Sequence, residues 1–448
     1  MTHPLHAQAR RRGGRLADRS ASLILVGLLV PIAGGRWGSY LAVPGTPLFV
    51  ADLFICLGIV GLFASQTDSR RRIAPIPRSL GWGSAVILLV LVASLLTNSS
   101  DEPSLVLRDA APLVYLAITP IVFKAIALNG RERVLKWLRI ACSIHVVWFA
   151  AAMFGALPPI PLGPFSAVPA FTTRGDYDLL ISALAAVVLM IDRSTKSMPR
   201  IALCILAVAS LLMGGSRAGL LSGLVLLLLA LLLVPERTGR VAPLAVVSIS
   251  FGTAAVLPVL VLVLDDPPPW MKALGRILDV GSQEQASASN TWNARVAAWE
   301  RLVAYTAEDP QRLLIGSGLG SQPVLDSGAV QFLSGDPSVR AAHNFTVTWF
   351  AFFGVVGVVL LVSVLVLWAF TGLIHARSER GVPGLGVALV AGVVLAGLGG
   401  VIIESPFGYM TLILGIALSH QGPEPTSRSD ARKRAADRVR RRQRGSVA

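Results

Sequence analysis

Three residues stand out by type and setting. Arg217 lies in Gly214-Gly-Ser-Arg-Ala-Gly219, a short hinge between two apolar runs. A charge at mid-helix costs about 2.5–3.5 kcal/mol on membrane-insertion scales, so a cation held here calls for a polar ligand unless it snorkels to water. Arg295 follows Trp292 by three residues and precedes Trp299 by four, which puts the guanidinium and both indoles on one helical face. Two readings stand for that face: an Arg lying over Trp for packing, worth roughly 0.5–1 kcal/mol, or an anion clamp flanked by aromatics on which sugars stack. His343 opens the mouth of a later apolar run, followed at once by Asn344. Imidazole there is an interfacial anchor or a base working near neutral pH. Glu404 ends the next run and is placed to pair with an arginine, to orient His343, or to be solvated alone. Asp52, Arg174, Asp176 and Asp178 add charge at other run ends. Arginine is always charged and fork-shaped, which suits phosphate. Together these groups suggest group transfer on a lipid-linked diphosphate, without ATP.

The elements that must carry these residues follow from composition. The chain has 448 residues, 54% hydrophobic and 15% charged, with mean hydropathy +0.67. A soluble domain is roughly 45–50% apolar and about 25% charged, so a soluble enzyme, a disordered chain and a disulfide scaffold are all excluded. The expected fold is all-α: a polytopic membrane protein of about twelve transmembrane helices with one long extracytoplasmic loop. The apolar runs start near Ser20, Pro47, Leu80, Ala110, Val134, Leu179, Ile201, Ala218, Val241, Asn344, Leu385 and Phe407.

The net charge of +15 lies in short segments between these runs, so it reads as topology rather than as a nucleic-acid surface. With both termini inside, the inner segments hold 29 Lys and Arg and the outer segments 10. The expected organisation is a basic cytoplasmic tail over 1–19, nine spans over 20–264, the outer loop over 265–342, three spans over 343–420 and a basic tail over 421–448. The basic segment Ala431–Arg444 of the C-terminal tail would meet anionic lipid heads. In the loop, Trp292, Val296, Trp299 and Val303 recur at helical spacing and predict a helix over Thr291–Ala304, capped by Ser289 or Asn290.

Other signals are missing. The sequence holds no phosphate-binding P-loop, no zinc-binding helix and no nucleophile elbow. Cys56, Cys142 and Cys204 lie inside apolar runs, far from metal-ligand spacing. Gly316-Ser-Gly-Leu-Gly320 reads as a turn that needs positive φ. Gly215, Gly219 and Gly223 read as close helix packing. A transporter or flippase of a lipid-linked or small solute is the rival function. It would show an internal repeat and charges at the bilayer midplane, whereas these charges sit at run ends and no halves match.

The Ser216-Arg217-x-Gly219 hinge, the loop with Arg295 before Trp299, the Gly316–Gly320 run and the His343-Asn344 entry to a span occur in an order that resembles the O-antigen ligase and polymerase superfamily. The resemblance covers about Ile201 to Leu418. It implies a GT-C-like, metal-independent inverting glycosyltransferase of the bacterial plasma membrane, with no cofactor and an active site on the outer face. The donor would be a glycan on undecaprenyl diphosphate, and the acceptor a hydroxyl of a glycan, lipid or protein. It further implies that Arg217 and Arg295 hold the diphosphate and that His343 activates the acceptor. Trp292, Trp299, Asn344 and Glu404 would line the substrate site.

Overall fold

The computed structural model describes residues 4–44, 48–65, 75–96, 102–191, 197–214, 216–234, 286–333, 335–336, 339–379 and 381–422. These are helical almost throughout. No strand occurs among them, only the isolated bridges Ala42–Phe49 and Ile160–Ala170. The first half carries α1 (Pro4–Ser39), α2 (Val50–Ser65), α3 (Arg78–Leu96), α4 (Pro103–Ala117), α5 (Thr119–Asn129), α6 (Arg131–Met153), α7 (Gly175–Ile191), α8 (Ser197–Met213) and α9 (Arg217–Leu233). After the segment 235–285 come α10 (Ala286–Ala307) and three short helices: α11 (Pro310–Ile315), α12 (Pro323–Asp326) and α13 (Val330–Leu333). The chain then continues into α14 (Phe345–Glu379), α15 (Val382–Gly399) and α16 (Pro406–Ser419).

Five helical segments are long and apolar enough to cross a membrane: Leu16–Ser39 of α1, α3, α6, α14 and α15. The pair α4 and α5, bent by 51°, makes a sixth if it counts as one span. Val50–Ser65, Met198–Met213, Arg217–Leu233 and Pro406–Ser419 are apolar but shorter. The expected span starting near Val241 lies outside the described residues, while the other eleven starts fall in a helix or within a few residues of one. The chain is thus a multi-pass, all-helical membrane protein.

Burial separates the centre of the bundle from its lipid face. Every residue of α16 is buried, and so is Tyr177–Leu189 of α7. A helix apolar all round has to sit inside a bundle, and α16 packs on α15, α1 and α5 while α7 packs on α9, α8 and α6. By contrast, Trp82, Leu89 and Leu96 of α3 and Val359, Val366 and Phe370 of α14 are exposed. Apolar side chains on one flank of helices this hydrophobic meet lipid rather than water.

Breaks in helices shape the end of the bundle where the candidate residues gather. α1 kinks at Gly35, with φ 58, and α14 at Gly354, with φ 64. Beyond Gly354 about 25 residues of α14 remain, which rise about 37 Å at 1.5 Å each and exceed a hydrocarbon core of about 30 Å. The piece before the kink is therefore free to act as a separate short helix. Its freed carbonyls find partners in the glycine run: Ser317 N–H donates to Ala351 O at 2.8 Å and Gly318 N–H to Phe352 O at 3.0 Å. Gly316, Gly318 and Gly320 all have positive φ, as the sequence predicts. The predicted helix over Thr291–Ala304 lies within α10, which starts earlier, at Ala286, so neither Ser289 nor Asn290 caps it.

Candidate active site

The entry to α7 supplies the first cation. Arg174 precedes the helix, and its carbonyl accepts from Tyr177 N–H at 3.0 Å and Asp178 N–H at 2.8 Å. Asp178 reaches back to accept the Arg174 backbone N–H, a reciprocal cap of the kind that fixes helix starts. Asp176 takes the other end of the same residue: its Oδ1 lies 3.0 Å from Arg174 Nε and its Oδ2 3.3 Å from Nη2. Burial pulls the Arg174 pKa down, but Asp176 outweighs it and the net shift is upward. The guanidinium is firmly charged.

Arg295 comes from α10. Its Nη1 donates to Gly399 O at 2.6 Å, at the carboxyl end of α15, where the helix dipole favours a cation. Burial lowers its pKa, Asp176 opposes that and Arg174 adds to it. α10 itself docks through Ala298 and Leu302, which are buried with Val324, Val330, Ala342 and Ala351. One turn on from Arg295, Trp299 Nε1 donates to Ala342 O at 2.6 Å. The Trp299 indole thus ties α10 to the residue before His343. The Trp292 side chain lies outside the described residues.

His343 sits on a tight turn with φ 59, a left-handed conformation that few non-glycine residues adopt. The groups beside it hold the turn. Ala342 N–H donates to Thr348 Oγ1 at 3.0 Å, and Thr348 Oγ1 donates to Asn344 O at 3.0 Å. Asn344 Oδ1 accepts from Thr346 N–H at 3.0 Å and from Thr346 Oγ1 at 2.6 Å, capping α14. Asn344 therefore aims its side-chain oxygen at the helix it starts. His343 Nδ1 is buried with no hydrogen-bond partner among the described residues. Burial first, then Arg295 and Arg174, push its pKa down to about 4, against the pull of Asp176. The imidazole is neutral at pH 7.

Glu404 lies on the turn between α15 and α16. Both carboxyl oxygens are buried and neither has a well-formed hydrogen bond. Burial raises its pKa to about 7, while its own backbone amide, the Thr348 hydroxyl and Arg174 favour the charged form. It forms no ion pair with an arginine and no hydrogen bond with His343, two of the arrangements open from the sequence.

Arg217 begins α9 at the edge of this group. Ser216 caps the helix, its Oγ accepting from Gly219 N–H at 3.2 Å. A Cβ at Gly219 would stand 2.5 Å from Gly175 O and 2.9 Å from Asp176 Cα. One at Gly223 would stand 2.6 Å from Leu211 Cδ1. The packing expected of Gly219 and Gly223 is present, and it brings the α9 hinge against the start of α7, while Gly215 lies outside the described residues. A Cβ at Gly399, whose carbonyl holds Arg295, would stand 3.4 Å from Ala218 Cβ. Arg217 is exposed.

The structure thus brings Arg295, His343 and Glu404 into one electrostatic neighbourhood, with the Arg217 hinge packed against its wall. It adds Arg174 and Asp176, which the sequence reading passes over as mere outer charge. Their signal is Arg174-Gly-Asp-Tyr-Asp178 just before an apolar run, acidic residues in a first helical turn behind a basic one. It also shows a brace that sequence reasoning misses. Asp109 of α4 and Arg340 form a buried bidentate pair, and Gly320 N–H donates to the same carboxylate at 3.0 Å.

The bundle of apolar helices thus gathers cations, a neutral imidazole and buried carboxylates beside its helix ends. Residues 202–362 match the family model described as O-Antigen ligase. The match supports the superfamily resemblance drawn from Arg217, Arg295 and His343, which all fall inside the matched segment. No curated protein matches the chain.

Proposed function

We propose that this protein transfers or polymerises a glycan from a polyprenyl-diphosphate donor onto an acceptor hydroxyl at the outer face of the bacterial plasma membrane, in cell-surface polysaccharide assembly. The observation that carries the reading is that half-buried Arg295 acts on neutral His343, with Trp299 of the same helix bonded to Ala342 beside that histidine, all within the segment matched by the O-antigen ligase family model. The acceptor oxygen forms a bond to the anomeric carbon as the carbon–oxygen bond to the diphosphate breaks. Attack from the face opposite the leaving group inverts that carbon. His343 takes the acceptor proton. Arg295 and Arg217 stabilise the charge that grows on the departing polyprenyl diphosphate, a role that fixed cations fill well in a low-dielectric site. The basic asymmetry of the sequence supports two cytoplasmic termini and an outward site.

The test is purified full-length protein with a polyprenyl-diphosphate glycan and a glycan acceptor, assayed for the joined product and released polyprenyl diphosphate. Transfer is expected, and it should survive EDTA, because arginines here fill the charge-stabilising role that a metal plays elsewhere. Loss on chelation with rescue by magnesium would overturn the assignment of the arginines.

A further inference from the structure

We infer that Arg174 is a third cationic contact for the donor's diphosphate, contributed by the part of the chain that precedes the segment matched by the family model. The inference rests on the donor reading above and extends it to residues outside the segment 202–362.

Two carboxylates in a single helical turn serve this one arginine. Asp178 fixes its backbone and Asp176 fixes its head group. Asp178 is fully buried, and behind it His145 Nε2 of α6 stands 3.7 Å from Asp178 Oδ1, equally buried. The α1 kink makes room for them: a Cβ at Gly35 would lie 2.8 Å from Asp178 Oδ1 and 3.3 Å from His145 Cε1. Burying a carboxylate is costly unless it is paired or bonded. A chain that places three elements around one to steady the Arg174 backbone has a use for where that side chain points.

The Arg174 head group lies beside the candidate site: a Cβ at Gly400 would stand 2.5 Å from Asp176 Oδ2, which holds Arg174, and the neighbouring Gly399 O accepts from Arg295. Arg174 acts electrostatically on Arg295, His343 and Glu404, which come from α10, the α14 turn and the α15–α16 turn. Cations crowded together repel, and Asp176 acts on both Arg174 and Arg295, while Asp178 and Glu404 are buried. An anion with several oxygens relieves that repulsion. Two of the five N–H donors of Arg174 go to Asp176, which leaves three in a planar fork suited to phosphate. The side chain is 24% exposed, open enough for a ligand to reach. In this arrangement Asp176 is the placeholder that aims the guanidinium before the donor arrives.

The test is competition binding on full-length protein in nanodiscs, with polyprenyl diphosphate and polyprenyl monophosphate as the two probes. Arg174→Ala should weaken the diphosphate by about tenfold or more and narrow its preference over the monophosphate, as loss of a charged hydrogen bond does. Arg174→Lys, matched to wild type in thermal stability, should fall between the two. Asp176→Asn should tighten the diphosphate, because it removes a competing negative charge and keeps an acceptor for Nε. If Arg174 serves only to pair with Asp176, both variants weaken both lipids alike, and that result overturns the inference. So does an Arg174→Ala protein with wild-type diphosphate affinity. Arg295→Ala separates the two levels of the account: if neither it nor wild type tells diphosphate from monophosphate, the donor reading itself fails.

Discussion

His343 combines two costs that a residue without a task would not bear. Its backbone is left-handed, and its Nδ1 is buried with no partner among the described residues. Each is worth roughly 1–3 kcal/mol of destabilisation, and such features concentrate at functional sites. The two can be separated by substitution. Asn tolerates positive φ better than most residues, so His343→Asn keeps the turn and removes the base, whereas His343→Ala disturbs both. The electrostatics give a pH prediction with a definite sign. Burial and the two arginines hold the imidazole near 4, so it stays neutral, and able to accept a proton, from pH 7 down to about pH 5. The acid limb that His343 imposes on kcat/KM should therefore lie near pH 4 in wild type. In Arg295→Gln one of the cations that lowers the pKa is gone, and the limb in the residual activity should move upward. A limb that stays in place would show that His343 is not the titrating base.

At the scale of elements, the apolar runs were legible and the breaks were not. Val134, Leu179, Ala218 and Phe407 begin runs within a few residues of α6, α7, α9 and α16, because a stretch of apolar residues in a membrane has little choice but to be helical. The kink at Gly354 was hidden, since a glycine in an apolar run looks like any other packing glycine. What makes it a kink is the strap at Gly316, more than thirty residues earlier, whose following amides receive the carbonyls that the break releases. The two glycines meet backbone to backbone: a Cβ at Gly354 would lie 2.5 Å from Ile315 N and Leu314 O. Gly354→Ala is thus strained both by its φ of 64 and by contact. It should destabilise the protein by about 2–4 kcal/mol, seen as a lower thermal midpoint in detergent, while Gly155→Ala, where φ is also positive but nothing lies nearby, should cost less. Equal effects would mean that backbone strain alone, and not the strap, matters at Gly354.

At the scale of the whole molecule, the site is assembled from distant parts of the chain. Arg174 belongs to the first half, Arg295 to the loop, and His343 and Glu404 to the last helices. The types and order of Arg217, Arg295 and His343 were readable, because charge in an apolar chain is conspicuous. Their company was not. Asp109 and Arg340 are 231 positions apart and meet only because α4 packs beside the glycine strap. The service that Asp176 and Asp178 give to Arg174 depends on a helix start that apolar periodicity does not mark. Trp299 and Asn344, chosen from the sequence for sugar contact, also brace the turn at His343 through Trp299 Nε1 and Asn344 Oδ1, bonds that residue spacing does not reveal. The central claim is that the arginines hold the donor and the histidine moves the proton, and one preparation can test it. Donor affinity and turnover would be measured together for wild type, Arg217→Ala, Arg295→Ala and His343→Asn in the same proteoliposomes, each at equal folded abundance. The account predicts that both arginine variants lose donor affinity, while His343→Asn binds donor as wild type does and turns over about 10²–10⁴-fold more slowly. Wild-type turnover in His343→Asn, or unchanged donor affinity in both arginine variants, would contradict it.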